Sequence, residues 1–325
     1  MQYEDLRKEL EKQIGVPLKV AVMGQTGVGK SSLINALFGT HLKTDPIRPC
    51  TMNVEHVVAK GTTGGELWFY DLPGVGEARD ADATYLNDYK EKLRECDIVL
   101  WLMHADNRSV SFDLDSLHKI LDNSRDDSDK VQYANLLNKI TFVLSKADVL
   151  TPSPWILTKL GSEAFFVPHP DVRAILEQKG EYYQEVFVLP FRDFISAQTY
   201  SRENLDLPLK GFSYKDGIVS YKGVLDHRML EQLKQSYPKY TEVFERLADN
   251  HRVIACSSLF RFNLALLMRI IIDKLGIDAI ARFSNFYDNS QLERMPFERA
   301  KTYCNVVVLD EAKGRVIFDL KRTNI

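Results

Sequence analysis

The eight residues GQTGVGKS, Gly24 to Ser31, set glycines, a lysine and a hydroxyl at the spacing GxxxxGK followed by Ser or Thr. Glycines let the backbone curl so that successive N–H groups face one point. With the N-terminus of a following helix they cradle phosphate oxygens. Lys30 would reach the β- and γ-phosphates of a nucleotide, and the Ser31 hydroxyl would ligate Mg²⁺. The candidate cradle is Gly24, Gln25, Thr26, Gly27, Val28, Gly29, Lys30, Ser31 and Ser32. A second cluster is SKAD, Ser145 to Asp148. An acidic side chain there accepts from N1–H and the 2-amino group of guanine, a pair adenine does not present, and the Lys146 stem covers the base face. Ser145 stands where Asn or Thr is usual and leaves a shorter hydroxyl to brace the phosphate loop. A third cluster is DLPG, with Asp71 and Gly74 three residues apart.

These residues need elements to carry them. LKVAVMG reads as a buried strand before the glycine loop and SSLINALFG as a helix after it, which separates the loop from an ordinary glycine-rich turn. VEHVVAK and GELWFYD read as a hairpin across GTTGG. DATYLNDYKEKLREC is a predicted helix, DIVLWLMHAD a strand, VSFDLDSLHKIL a helix and ITFVLSKAD a strand. Strands alternating with helices predict an α/β fold with a doubly wound, mostly parallel sheet. TPSPW after Leu150 breaks the alternation, so residues 151–225 are an expected insertion, with GFSYKDGIVSYKG a hairpin inside it. The pattern then predicts one long helix through MLEQLKQSYPKYTEVFERLADN, a strand HRVIAC and a helix LFRFNLALLMRIIIDKLG. The expected divisions are an amphipathic helix over 1–16, a nucleotide domain over 17–276 interrupted by the insertion, and a helix-and-hairpin extension over 277–325 that includes NVVVLDEAKGRVIFDL.

In order, GQTGVGKSSLINAL, DLPGVGE and SKAD resemble the translation-factor class of P-loop GTPases, especially its Era/TrmE/septin-like branch. Within it they are similar to the bacterial Era-like proteins labelled 50S ribosome-binding GTPases. PCTMNVEH looks like that group's first switch, and the phosphate loop with INALFG also resembles immunity-related and dynamin-type GTPases. The likeness covers residues 18–150 and 226–276. It implies GTP and GDP as ligands with Mg²⁺, and GTP hydrolysis. It makes Thr51 the switch threonine at Mg²⁺ and the γ-phosphate, with Thr44 a competitor. It also places Asp71 on the metal through water and the Gly74 N–H on the γ-phosphate. The catalytic set it implies is Lys30, Thr51 and Gly74, and the metal set Ser31, Thr51 and Asp71. For the backbone N–H that meets guanine O6 there are two candidates, Ser257-Ser258 between strand and helix, and Ser196-Ala197 by string match. Strand-to-helix context favours Ser257-Ser258.

Val75, where a Ras-type GTPase carries glutamine, cannot orient water, and Gly27 stands where K⁺-using relatives carry asparagine. Glu77, Arg79 and Arg48 are candidates for the missing group, against a plain reading as solvated loop charges. A partner or a second copy is the other source, so low intrinsic turnover is expected. The implied function is a switch engaging a protein or ribonucleoprotein partner, with a nucleotide-dependent homodimer in view. A dynamin-like assembly protein at membranes or in defence is the alternative, and an ATP-using protein a more distant one. Net charge is −3 over 325 residues, which does not favour bulk nucleic-acid binding. Cys50, Cys96, Cys256 and Cys304 lack zinc-site spacing and read as reduced thiols. The N-terminus lacks signal-peptide character, and the apolar stretch LALLMRIII is interrupted by Arg269. A cytoplasmic protein, peripheral at most to a membrane, is the expectation. Tyr182, Tyr183, Phe187 and Phe191 suit either a partner surface or a small local core, the core being the plainer reading.

Overall fold

The computed structural model describes residues 17–38, 55–60, 66–72, 90–107, 110–121, 135–150, 155–201, 203, 205, 209–276, 290–303, 306–310 and 315–317. The expected helix over 1–16, Thr44, Arg48, Cys50, Thr51, Gly74, Val75, Glu77, Arg79 and Cys304 lie outside the described residues.

Three apolar runs, β1 (Leu18–Gly24), β4 (Ile98–His104) and β5 (Ile140–Ser145), form the centre of a six-stranded sheet. The order is β11-β5-β4-β1-β3-β2, where β2 is Glu55–Lys60, β3 Glu66–Asp71 and β11 Ile254–Ala255. All neighbours run parallel except β2, which forms the expected hairpin with β3. Continuous apolar runs suit strands covered on both faces. Val20, Val22, Leu100 and Leu102 face helices α1 (Lys30–Phe38) and α6 (Leu264–Leu275). Ala21, Met23, Trp101 and Phe142 face α2 (Ser111–Leu121) and α3 (Pro170–Phe187). The α/β doubly wound fold stands, with further strands and helices attached.

Helix α3 falls within the stretch expected as an insertion, yet it completes a layer of the main sheet. Tyr183 and Phe187 are buried in that core, and Phe187 packs 5.2 Å from Phe142, whereas Tyr182 is exposed. The inserted hairpin β6 (Trp155–Leu160) and β7 (Glu163–Pro168) joins strands of the C-terminal stretch in a five-stranded sheet. Its order is β12-β7-β6-β13-β14, with β12 Met295–Pro296, β13 Val306–Asp310 and β14 Arg315–Ile317. Strand β13 pairs parallel to β6, and β13 with β14 forms the hairpin expected from NVVVLDEAKGRVIFDL. A third sheet, β8-β10-β9, comprises Ser196–Tyr200, Ile218–Lys222 and Phe212–Lys215. Its β9–β10 turn carries Asp216 at φ 51° and Gly217 at φ 81°, the left-handed pair that a tight hairpin demands.

Two local expectations are corrected. The helix expected through residues 229–250 is split into α4 (His227–Ser236) and α5 (Thr241–Asp249). Pro238 lacks an N–H and restricts Tyr237, which takes φ −136°, and a short 3-10 turn follows. HRVIAC pairs with β5 only at Ile254 and Ala255, and the next helix starts late, at Leu264. Between them Arg261 (φ 56°) and Asn263 (φ 57°) are left-handed, so a helix cannot run through them.

Candidate functional site

The phosphate loop leaves β1 at Gly24, whose φ of 141° and 2.2 Å approach of an added Cβ to the Leu102 carbonyl oxygen admit only glycine. Gly27 (φ 77°) and Gly29 (φ 93°) supply the remaining left-handed turns. Lys30 is buried at the start of α1, and its Nζ donates to the Gly24 and Gln25 carbonyls at 3.2 and 3.4 Å. A cation over a curled backbone at a helix N-terminus fits the phosphate chain of a nucleotide. Ser31 and Ser32 follow in the first turn of α1. Asp71 ends β3 opposite Val22 of β1, so its backbone lies one strand from the loop. Of the implied Mg²⁺ ligands, Ser31 is in place beside the cradle, and the Asp71 side chain and Thr51 fall outside what is described.

The second cluster abuts the first. Ser145 Oγ lies 2.7 Å from the Val28 carbonyl oxygen and 3.0 Å from that of Met103, so the shorter hydroxyl does reach the phosphate loop. Lys146 is left-handed at φ 54°, and its Cε would lie 3.7 Å from a Cβ on Gly29, which places its stem along the loop. Asp148 accepts a short hydrogen bond from the Ser257 hydroxyl. The backbones are stitched too: Cys256 N donates to Leu144 O at 2.8 Å and Ala147 N to Cys256 O at 3.0 Å. Ser257-Ser258 therefore stands beside SKAD. Ser196-Ala197 starts β8, where the Ser196 N–H donates to Asn138 Oδ1 at 2.7 Å, before β5 begins and at the opposite end of that strand from Ser145.

Three neighbours were not anticipated. Asp113, 2% exposed on α2, accepts from Gln25 Nε2 at 2.9 Å and from Trp101 Nε1 at 3.3 Å. Burial pushes its carboxyl above the usual range, and the two N–H donors oppose that rise. It occupies the apolar stripe of α2 with Leu117, Ile120 and Leu121, and a carboxylate on such a stripe was the available signal. His104, ending β4 in register with Ser145, is held below the ordinary imidazole range by burial and then by Lys146. Arg261 lies in the loop after Ser257-Ser258, and no motif marks it. Cys96 and Cys256 are buried free thiols, both pushed up to about 12 by desolvation, which leaves them unreactive. No described helix is long and apolar enough to cross a membrane.

Residues 19–139 match the family model described as 50S ribosome-binding GTPase. Over 152 residues the chain is 32% identical to the uncharacterized protein YkfA of Escherichia coli (strain K12), covering 46% of this chain and 48% of YkfA. Over 143 residues it is 31% identical to YfjP of the same organism, covering 41% and 43%. GTPase Era of Deinococcus deserti is 31% identical over 85 residues, 26% of this chain and 28% of Era. The chain thus spans about half the length, or less, of these curated relatives. A crystal structure of Era with MgGDPNP and nucleotides 1506-1542 of 16S ribosomal RNA covers 78% of this chain and 55% of its own, at 17% identity and TM-score 0.37.

Proposed function

We propose, because residues 19–139 match the family model of 50S ribosome-binding GTPases and part of the chain is similar to GTPase Era, that this protein is an Era-like P-loop GTPase that binds GTP, hydrolyses it slowly and works as a switch. The observation that carries the reading is the joining of three separate stretches at the carboxyl ends of β1, β5 and β11. Ser145 is bonded to the phosphate loop, Lys146 is laid along it, and Asp148 is bonded to Ser257. Ligands of open α/β sheets bind at that edge.

In this reading the N–H groups from Gln25 to Ser32 receive the phosphates, and Lys30 exchanges the Gly24 and Gln25 carbonyls for β- and γ-phosphate oxygens. Ser31, Thr51 and Asp71 would hold Mg²⁺, which when bound neutralises charge between the phosphates. The Gly74 N–H would meet the γ-phosphate. Asp148 takes N1–H and the 2-amino group, Lys146 covers the base, and the Ser258 N–H meets O6, with Ser257 fixing the Asp148 carboxylate.

Val75 brings no group to orient water. Intrinsic turnover should therefore be on the order of 10⁻⁴ s⁻¹ or less, and a protein or ribonucleoprotein partner, or a second copy of the chain, would supply the missing group. Phosphate release from GTP with Mg²⁺ tests this. Slow release that stops in Lys30→Ala and rises with protein concentration or an added partner is expected. Release unaffected by Lys30→Ala, or equal release from ATP, would contradict it.

A further inference from the structure

The loop from Ser257 to Asn263 is closed at its base by reciprocal backbone bonds, Ser257 N to Phe262 O at 3.2 Å and Phe262 N to Ser257 O at 3.0 Å. Two left-handed residues that are not glycine, Arg261 and Asn263, lie in seven positions, a conformation that persists only where surrounding contacts enforce it. Asn263 Nδ2 holds the Ala255 carbonyl at 2.8 Å. Arg261 reaches out of the loop in two directions. Its Nε donates to Leu292 O at 2.6 Å and its Nη2 to Ala36 O at 3.4 Å. Ala36 is in the last turn of α1, where carbonyls lack intrahelical donors and a cation is favoured. The N-terminus of that same helix is the phosphate cradle. Leu292 belongs to the C-terminal stretch that also provides Tyr303, and Tyr303 lies 5.8 Å from Phe260. In the same cluster Phe260 stacks on Phe166 at 4.1 Å and meets Trp155 edge-on at 5.2 Å, and Phe262 meets Trp155 at 5.0 Å.

We infer that Arg261 is a positioning residue for guanine recognition. By tying the loop to α1 and to the segment 290–303, it sets where the Ser258 N–H stands relative to guanine O6. The planar guanidinium serves two carbonyls on two elements at once, which a single ammonium does less well. The five-stranded sheet is then a buttress of the base site, since its β6 and β7 grip the aromatic side of the same loop. The inference rests on the reading of Ser257-Ser258 as the O6 contact.

The test is calorimetry of the full chain with GDP, 6-thio-GDP and IDP. Replacing O6 by sulfur acts chiefly on the acceptor at position 6, and IDP lacks the 2-amino group that Asp148 reads. The unaltered protein should prefer GDP over both. In Arg261→Ala the preference for GDP over 6-thio-GDP should fall about fivefold, the size of one neutral hydrogen bond, while the preference for GDP over IDP stays. Arg261→Lys should fall between the two. If both preferences fall together, or neither does, Arg261 is merely structural or irrelevant and the inference is overturned. If Arg261→Ala does not fold, as judged by its thermal unfolding, Arg261→Lys is read by the same two ratios. An unaltered protein that prefers GDP to IDP but is indifferent to O6 would fail the reading of Ser257-Ser258 as the O6 contact, and the inference with it, while leaving Asp148 as the base reader.

Discussion

Asp113 illustrates how one buried group can organise a loop it does not belong to. Its two oxygens take N–H donors from β4 and from the phosphate loop, so Asp113→Ala leaves the Trp101 indole and the Gln25 amide without their acceptor. The expected cost is about 2 kcal/mol in urea unfolding. Asp113→Asn should cost clearly less, because the Gln25 amide can turn round and offer its oxygen to the new NH₂ while Trp101 keeps its acceptor. Equal losses in the two variants would mean that the carboxylate matters for its charge and not for its acceptors. The phosphate loop and SKAD were legible from residue types and spacing, whereas Ser257-Ser258 was preferred to the string match Ser196-Ala197 only by its place between a strand and a helix. Asp113 was visible only as a polar residue on an apolar stripe. Its partner Gln25 lies 88 positions away, a distance that no local pattern spans.

At the scale of elements, the main strands were readable because burial on both faces demands continuous apolar runs, as in LKVAVMG and ITFVLS. Hairpins were readable from their turns, as at Asp216-Gly217. Helix α3 was harder to place, because its buried stripe of Val172, Leu176, Tyr183 and Phe187 would suit a local core as well as the main sheet. Gly180 settles how closely it sits: a Cβ there would come 2.8 Å from the Val253 carbonyl oxygen. Gly180→Ala, stabilising in a free helix, should here destabilise the protein by about 1–3 kcal/mol as the helix is pushed off the chain leading into β11. Thermal unfolding checks the sign, and a rise in midpoint would place α3 further from Val253. The late start of α6 was not legible, because the left-handed Arg261 and Asn263 are held by contacts from remote segments.

Across the whole molecule, attached units are pinned to the main sheet by buried polar contacts. Arg246 of α5 pairs with Asp273 of α6, side chains 6% and 1% exposed, and Thr199 of β8 joins them. Asp273→Asn, which strips the buried guanidinium of its counter-charge, should cost about 3–5 kcal/mol, and Arg246→Met with Asp273→Leu should recover most of it. A double variant no better than the single would assign the pair a role beyond charge balance. His251, in the turn after α5, is buried and its pKa is pushed down to about 3 by desolvation and then by Lys274. Unfolded, it titrates near its ordinary value of 6.5, so between these values the unfolded chain binds the extra proton. The stability that a neutral His251 gives is therefore full above 6.5 and is lost as pH falls towards about 3. The loss should be on the order of 2 kcal/mol by about pH 5. In urea unfolding His251→Phe should flatten that part of the pH profile, and an unchanged slope would clear His251 of it. The proposed guanine recognition would need every layer at once, because the phosphate loop, Asp148 and Ser258 come from three distant stretches held on one sheet. Calorimetry of the unaltered chain and of Asp148→Asn with GTP, GDP, ATP and XTP therefore decides the matter. The unaltered chain should bind GTP and GDP and neglect ATP, and Asp148→Asn should shift its preference to the xanthine nucleotide. ATP bound as tightly as GTP, or a preference indifferent to Asp148, would contradict it.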